Sequence, residues 1–195
     1  MIDFEELVIP RGADWSQKLY IGNYQEIQYS TNASPSVITI VNHGFTTGEK
    51  KQIKNHKGNT AINNNLDTPF HTITVIDDNT FSVPIAANGA GTQSGTVMTP
   101  RNLTGETVYC QFRNTPSRDL SPASPSVVFS PTVVVTTALE GTITLSISRA
   151  NTFITGLTLD KYFCDILIKR SDGVTYDWAT EEPFIVRVER SATRT

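Results

Sequence analysis

Apolar and polar side chains alternate with a period of two along much of the segment 142–189. Ile143, Leu145 and Ile147 share one face of the first run, and threonine and serine side chains share the other. Successive side chains of a β-strand point to opposite sides, so this spacing predicts a strand with one buried face. Two further runs have the same spacing, at Tyr162, Cys164, Ile166 and Ile168 and at Phe184, Val186 and Val188.

A tight turn is predicted at residues 171–173, where Ser-Asp-Gly combines an aspartate that tolerates turns with a glycine that accepts positive φ. Residues 174–179 are then the expected hairpin partner of the strand before the turn. Four strands with short connections predict half of an antiparallel sandwich, which must bury its apolar face against a second sheet. Pro183 precedes the last of these strands and is expected to protect a sheet edge.

The first 24 residues hold only two short predicted strands, at 1–9 and 14–21. Two strands alone do not make a stable sheet. They need the strands predicted after residue 100, at 108–113, 127–129 and 133–136. We therefore predict one discontinuous β-sandwich made of residues 1–24 and 100–195.

The segment between these parts, residues 25–99, is rich in asparagine, threonine and glycine and has a strand pattern of its own. Strands are predicted at 37–41, 52–54, 70–76 and 80–85, with a hairpin turn at 77–79. Folded guests are tolerated in exposed loops whose ends lie close together. We predict a small β-barrel module inserted into the sandwich.

Composition agrees with an all-β chain. The 195 residues include 27 threonines, 17 isoleucines and 15 valines, which are β-branched and suit a pleated surface, and no long window has a helical apolar stripe. The formal net charge of −3 provides no basic field, so no nucleic-acid partner is expected. No run is apolar enough to span a membrane, and the acidic start lacks a signal-peptide pattern, so we expect synthesis in a cytosol and no membrane partner.

The residues that carry chemistry do not form a recognisable catalytic or metal-binding motif. His43, His56 and His71 lack the spacing of metal ligands, and His43 is expected to cap its own turn through a ring hydrogen bond. Adjacent acids on a strand point to opposite faces and cannot form a catalytic dyad. No nucleophile elbow or phosphate-binding glycine loop occurs. We expect no catalytic residue, no cofactor, no metal and no enzymatic activity.

Cys110 and Cys164 each lie in an apolar strand pattern. Cysteine is among the most buried residue types, so buried free thiols are the first interpretation. Facing strands would also allow a disulfide, and the sequence leaves that pairing open.

Five aromatic residues are candidates for a contact surface. Core packing combined with subunit contact is the preferred interpretation, because aromatic side chains are enriched at protein interfaces. A carbohydrate-stacking platform is the alternative. The candidate interface residues are Trp15, Tyr24, Tyr29, Tyr176 and Trp178.

The inserted segment resembles the first catalytic cysteine half-domain of ubiquitin-activating enzymes and related repeats of phage tail proteins. The resemblance covers about 60 residues and implies a small β-barrel without ubiquitin chemistry, because that half-domain carries no catalytic cysteine. The matching residues are His43-Gly44-Phe45, Gly48, Gly58, Asn63, Ile73-Thr74-Val75, Asn79-Thr80-Phe81-Ser82-Val83 and Gly95-Thr96-Val97.

The flanking parts together resemble a domain of bacteriophage tail and baseplate proteins, including the N-terminal domain of the baseplate upper protein. The ordered set covers about 120 residues and implies an immunoglobulin-like fold with a role in virion architecture. The matching residues are Val8-Ile9-Pro10-Arg11-Gly12-Ala13, Lys18-Leu19-Tyr20-Ile21, Asn102-Leu103-Thr104-Gly105, Gln111-Phe112-Arg113, Gly141-Thr142-Ile143-Thr144-Leu145, Tyr162, Asp165-Ile166, Asp172-Gly173-Val174 and Ala192-Thr193-Arg194.

The expected function is therefore that of a virion structural protein, assembled in the host cytoplasm and located in the tail or baseplate. Its expected partners are other tail proteins, a tail fibre or receptor-binding protein, and further copies of itself in a symmetric assembly. One alternative is a capsid decoration or head-fibre protein. Another is a carbohydrate-binding module that adheres to host surface glycans.

Overall fold

A computed structural model describes residues 6–65, 67–91, 93–116, 127–153, 161–179 and 183–189. Strands dominate these residues, and the all-β class predicted from the sequence is confirmed. The strands are β1 (Glu6–Pro10), β2 (Trp15–Tyr20), β3 (Gly22–Glu26), β4 (Tyr29–Ser30), β5 (Ser36–Thr39), β6 (Lys50–Lys54), β7 (His71–Thr72), β8 (Thr74–Asp77), β9 (Thr80–Val83), β10 (Thr96–Pro100), β11 (Thr107–Arg113), β12 (Val127–Phe129), β13 (Thr132–Thr137), β14 (Thr142–Ile147), β15 (Lys161–Lys169), β16 (Tyr176–Trp178) and β17 (Phe184–Glu189).

Helical structure is limited to short segments in the described part of the chain. One α-helix, α1 (Arg149–Phe153), follows β14, and two 3-10 turns lie at Thr60–Ile62 and Ala138–Glu140. No helix among the described residues is long and apolar enough to cross a membrane.

The chain divides into two compact units. Met1–Ile21 and Arg101–Thr195 form the flanking unit, and Gly22–Pro100 forms the inserted unit. The inserted unit begins at Gly22 and not at residue 25, where the composition changes, because all of β3 pairs with β10 in antiparallel register.

The described residues of the flanking unit form two sheets. The larger has the strand order β1-β17-β15-β11-β12, with β16 also paired to β15, and the smaller has the order β13-β14-β2. Ile143 and Leu145 of the smaller sheet share one buried cluster with Ile166 and Ile168 of the larger. The alternating apolar faces seen in the sequence therefore meet in a common core, where their burial is the main stabilising contribution.

Strand pairing in this unit differs from the sequence-based expectation at two points. β14 lies in the smaller sheet, whereas β15, β16 and β17 lie in the larger, so these four strands are not one half of the sandwich. β1 pairs with β17 in parallel, and β17 is therefore covered on both sides, so Pro183 does not guard an edge. Periodicity identifies the buried face of a strand but not its neighbours, which is why these expectations were wrong.

In the inserted unit, the described residues form two four-stranded sheets, in the orders β3-β10-β6-β7 and β4-β5-β9-β8. Neither sheet closes on itself among the described residues, so the expectation of a closed small β-barrel is not met. The core is built mainly from isoleucines around Phe81. β3 and β4 were not predicted from the sequence, because their residues are mostly polar or tyrosine and become strands only through pairing with β10 and β5.

The predicted turn at residues 171–173 is present, and it gives Asp172 a structural role. Its Oδ1 accepts hydrogen bonds from the backbone N–H groups of Val174 and Thr175, each at 2.8 Å. The Thr175 side chain is the largest influence on this carboxyl, and together with the two backbone bonds it lowers the pKa of Asp172 from 3.8 to about 2.

We expect an NMR pH titration of the Asp172 carboxyl to give a midpoint of about 2. Because the pKa is lower in the folded state, the contribution to stability is complete above the ordinary value of 3.8 and is lost as the pH falls through about 2. Thr175→Val, which removes the hydroxyl, should raise the midpoint. A midpoint near 3.8 in the unmodified protein would contradict this account of the turn.

Candidate functional site

The five aromatic residues predicted to form an interface lie on several sheets. In the flanking unit, Trp15 is on β2 of the smaller sheet, whereas Tyr176 and Trp178 are on β16 of the larger. In the inserted unit, Tyr24 and Tyr29 are on different sheets. The five residues therefore do not make one platform on a single sheet.

Exposure separates these aromatics into two groups. Tyr29 and Tyr176 are 45% and 40% exposed, whereas Trp15, Tyr24 and Trp178 are half-buried. Tyr176 also lies beneath a cation, with the Lys169 Nζ 5.9 Å from its ring centroid. A role in subunit contact remains a prediction for all five.

A more specific contact surface is the free edge of β13. Its sequence is Thr-Val-Val-Val-Thr-Thr, with no charge and no proline. Among the described residues β13 pairs with β14 alone, and the Val134 side chain is 50% exposed. A long, uncharged edge presents unpaired backbone N–H and C=O groups and is a ready template for another strand.

The other edge strands described in the structure carry features that discourage such pairing. β1 contains Glu6 and Pro10, β2 contains Lys18, β3 ends at Glu26 and β8 ends at Asp77. The edge strands β4, β7, β12 and β16 have three residues or fewer. Residues 133–136 were predicted to be a strand, but the sequence does not show which strands lie at edges.

Lys51 is the most deeply buried amine described in the inserted unit, with a side-chain exposure of 1%. Its Nζ lies 2.8 Å from Glu49 Oε2, 2.8 Å from Thr99 Oγ1 and 3.7 Å from the centroid of the Phe45 ring. Burial lowers the pKa of Lys51 against the opposing effect of Glu49. These contacts satisfy the ammonium group internally, so the cluster is a structural ion pair.

The carboxyl partner of Lys51 is more accessible. Burial tends to raise the pKa of Glu49, but the hydrogen bonds from Lys51 and from the Thr46 backbone outweigh it and lower the pKa overall. With 42% of its side chain exposed, Glu49 is screened by solvent, which weakens its contribution to stability.

A second buried ion pair lies in the flanking unit. Arg113 on β11 and Asp165 on β15 have side-chain exposures of 0% and 1%, with Arg113 Nε 3.5 Å from Asp165 Oδ2. Arg113 Nη2 also donates to Gln111 Oε1 at 2.6 Å. The two strands bring opposite charges together in the core, where each compensates the desolvation of the other.

The three histidines have internal structural contacts. His43 Nδ1 accepts a hydrogen bond from the Phe45 backbone N–H at 2.9 Å, which confirms the predicted ring cap of this turn. His56 Nδ1 accepts from the Asn59 N–H at 3.1 Å, and burial lowers the pKa of His56. His71 Nε2 lies 2.8 Å from the Ile62 carbonyl oxygen. Within the ranges described above, no group of three or more histidine, cysteine, aspartate or glutamate side chains converges on a metal-sized site.

Cys110 and Cys164 are free and buried on adjacent strands, as the first interpretation predicted. Their sulfur atoms are 3.2 Å apart, and the residues are diagonal neighbours, since Cys110 is opposite Ile166 and Cys164 is opposite Phe112. Burial, followed by the hydrogen bond with Cys110, raises the pKa of Cys164 well above 9.0. A thiol held in its neutral form is a poor nucleophile.

Comparisons with known proteins do not assign the chain to a family. No protein-family model matches the chain, and no curated protein matches it. Among solved structures, the chain is similar to part of the phage phi92 endosialidase, with a TM-score of 0.30 and 11% sequence identity. That alignment covers 91% of this chain and 37% of the endosialidase chain. The likeness is too distant to carry an argument about activity, and the class defined so far is an all-β chain of two units.

Proposed function

We propose that the chain is a structural protein of a bacteriophage virion, a tail or baseplate adaptor that anchors fibres or receptor-binding proteins. The edge of β13, which has no partner strand among the described residues, is the observation that supports assembly as its mode of action. The placement in a phage tail comes from the ordered set of residues in the flanking unit that resembles tail and baseplate domains. On this proposal the protein is not an enzyme.

The strand order of the flanking unit supports the immunoglobulin-like fold that the resemblance implies. Immunoglobulin-like domains place strands B, E and D in one sheet and strands C, F and G in the other. Taken in chain order, β2, β14 and β13 of the smaller sheet correspond to strands B, E and D. In the larger sheet, β11, β15 and β17 correspond to strands C, F and G. On this assignment, the inserted unit occupies the loop between strands B and C.

Self-association is proposed to occur by antiparallel pairing of β13 with the same strand of a second copy. Such a contact is isologous, and it would join two three-stranded sheets into one of six strands. Like charges directly opposite each other destabilise a strand pair, and β13 carries none. Repeated around a symmetric particle, contacts of modest strength add up through multivalency.

Val134→Lys tests this contact. The substitution places two like charges close together across the two-fold axis, and we expect self-association to weaken by more than about tenfold. Sedimentation velocity over a concentration series is the measurement. Val174→Lys is the matched control, because Val174 is 78% exposed in the turn before β16 and should leave self-association unchanged. Equal effects of both substitutions, or none from Val134→Lys, would refute pairing through β13.

Location in the particle needs a separate experiment. The purified protein should co-sediment with isolated tails or baseplates and not with filled heads. Binding to heads alone would favour the capsid-decoration alternative, and binding to neither would overturn the virion proposal.

A further inference from the structure

The thiols of Cys110 and Cys164 lie close enough to react with each other. Their sulfur atoms are 3.2 Å apart, and a disulfide bond has a length of about 2.0 Å, so the two atoms must approach by about 1.2 Å. Both thiols are free and buried. These are the two cysteines of the whole chain, so no third thiol of the chain competes for either of them.

The strand ladder holds the two thiols together in the folded protein. β11 and β15 pair in antiparallel register over seven consecutive residue pairs without a bulge. Both cysteines belong to the buried core cluster of the flanking unit. In the unfolded chain the same residues are separated by 54 positions, and closing a loop of that length has an entropic cost. The fold therefore brings together two thiols that the unfolded chain keeps apart.

A cavity of about 250 Å³ gives a small reagent a route to one of the two cysteines. Cys110 on β11 lines it together with Pro131 and Val133 from the start of β13. It lies beside the first part of β11, because β12 pairs with this strand only at Phe112 and Arg113. A water molecule takes up about 30 Å³ of liquid, so the cavity can admit a molecule as small as hydrogen peroxide.

We propose that Cys110 and Cys164 form an oxidation site, at which a small peroxide converts the two thiols into a disulfide that cross-links β11 to β15. In the first step the Cys110 sulfur attacks one peroxide oxygen, the O–O bond breaks, and a sulfenic acid and a water form. In the second step the Cys164 sulfur attacks the Cys110 sulfur, the S–O bond breaks, and a second water leaves. The two thiols give up two electrons and two protons, and the peroxide is reduced to two waters.

Access and acidity assign this order to the two cysteines. Cys110 lines the cavity, whereas Cys164 is 0% exposed and is not among the described lining residues. Burial also raises the pKa of the Cys164 thiol, so this sulfur is a weak nucleophile toward a free reagent. It reacts second, because the sulfenic sulfur of Cys110 is then already beside it.

The state of this site depends on the surroundings of the protein. A reducing cytosol keeps both thiols free, and an oxidising environment allows the disulfide to form and persist. The disulfide would restrict the unfolded chain and so stabilise the flanking unit. The proposal depends neither on assembly through β13 nor on a location in a virion.

The test exposes the reduced full chain to hydrogen peroxide, once under native conditions and once after unfolding in urea. The peroxide is then removed, and the chain is unfolded, labelled with N-ethylmaleimide and analysed by mass spectrometry. We expect the folded chain to lose two hydrogens, to take up no label and to yield one cross-linked peptide pair containing Cys110 and Cys164. Oxidation of the urea-unfolded chain shows that the peroxide is active.

Two single substitutions and a stability measurement complete the test. Cys164→Ser leaves Cys110 as the one thiol, and we expect peroxide to convert it to a sulfenic acid that dimedone, added with urea, traps. Cys110→Ser leaves Cys164, which should stay reduced during the same exposure. In urea denaturation of the unsubstituted chain, oxidation should lower the equilibrium constant for unfolding about thirtyfold or more.

Several outcomes would overturn the proposal. These are two intact thiols in the folded chain under conditions that oxidise the unfolded chain, cross-links formed only between chains, or an unchanged urea midpoint after oxidation. Equal oxidation of the remaining cysteine in the two variants would overturn the assigned order. A circular dichroism spectrum establishes that each variant is folded, and the mass measurement on the unsubstituted chain tests the disulfide without any substitution.

Discussion

Asp165→Ala is expected to lower the free energy of unfolding of the flanking unit by about 3–5 kcal/mol. The substitution leaves the Arg113 guanidinium, whose side chain is 0% exposed, without the carboxylate 3.5 Å away. A buried charge that loses the opposite charge beside it retains its desolvation cost and gives up the attraction that offset it. Urea denaturation monitored by far-UV circular dichroism would measure the change.

The double variant Arg113→Met and Asp165→Leu is the control for this experiment. It removes both charges and keeps apolar volume in the core, so it should recover most of the stability lost by Asp165→Ala. The effects of the two substitutions on the free energy of unfolding are then strongly non-additive, as expected for residues in contact. If the double variant were less stable than Asp165→Ala, the ion pair would not be the source of the effect.

Gly141→Ala is expected to destabilise the flanking unit by about 2–4 kcal/mol, through backbone conformation and through steric overlap. Gly141 has a φ of +59°, which costs an L-residue about 1–2 kcal/mol. An added Cβ would also overlap the carbonyl oxygen of Ile21 and lie 2.9 Å from that of Arg101.

The backbone around Gly141 has little freedom to move away. The Ile21 N–H donates to the Gly141 carbonyl at 2.8 Å, and the Arg101 N–H donates to the Ile21 carbonyl at 2.8 Å. The second bond joins the two points at which the chain leaves and re-enters the flanking unit, and the first ties Gly141 to them. A shift that relieved the overlap would weaken both of them.

Gly173→Ala separates the two contributions. Gly173 has a φ of +75°, but nothing lies within 4 Å of its added Cβ, so only the conformational cost of about 1–2 kcal/mol applies. The denaturant midpoints of the two variants, compared at the same m-value, give the difference between their free energies of unfolding. Equal losses would mean that the contact with Ile21 and Arg101 has no energetic consequence.

Local chemistry accounts for what the sequence predicted well. The buried faces of β14, β15 and β17, the hairpin turn at Asp172 and the ring cap of His43 each depend on residues close together in the chain. The polar strands β3 and β4 were missed for the converse reason. Their conformation is imposed by partners from β10 and β5, and their own side chains give no apolar signal.

The candidate sites depended on contacts between distant segments. Cys110 and Cys164 were each placed in a strand from the sequence, but the sequence left open whether they meet. Their sulfur atoms come within 3.2 Å because β11 pairs with β15 in antiparallel register. The uncharged character of β13 is visible in the sequence, whereas its position at an edge is not.

The sequence by itself determined the all-β class, because side-chain alternation and β-branched residues act within a few positions of one another. It also indicated which faces of β14, β15 and β17 are buried. Tertiary structure alone decided that β1 runs parallel to β17, that β14 belongs to the smaller sheet and that Arg113 meets Asp165. Those outcomes follow from pairing and packing between remote segments, which depend on how whole sheets fit together and not on any local pattern of residues.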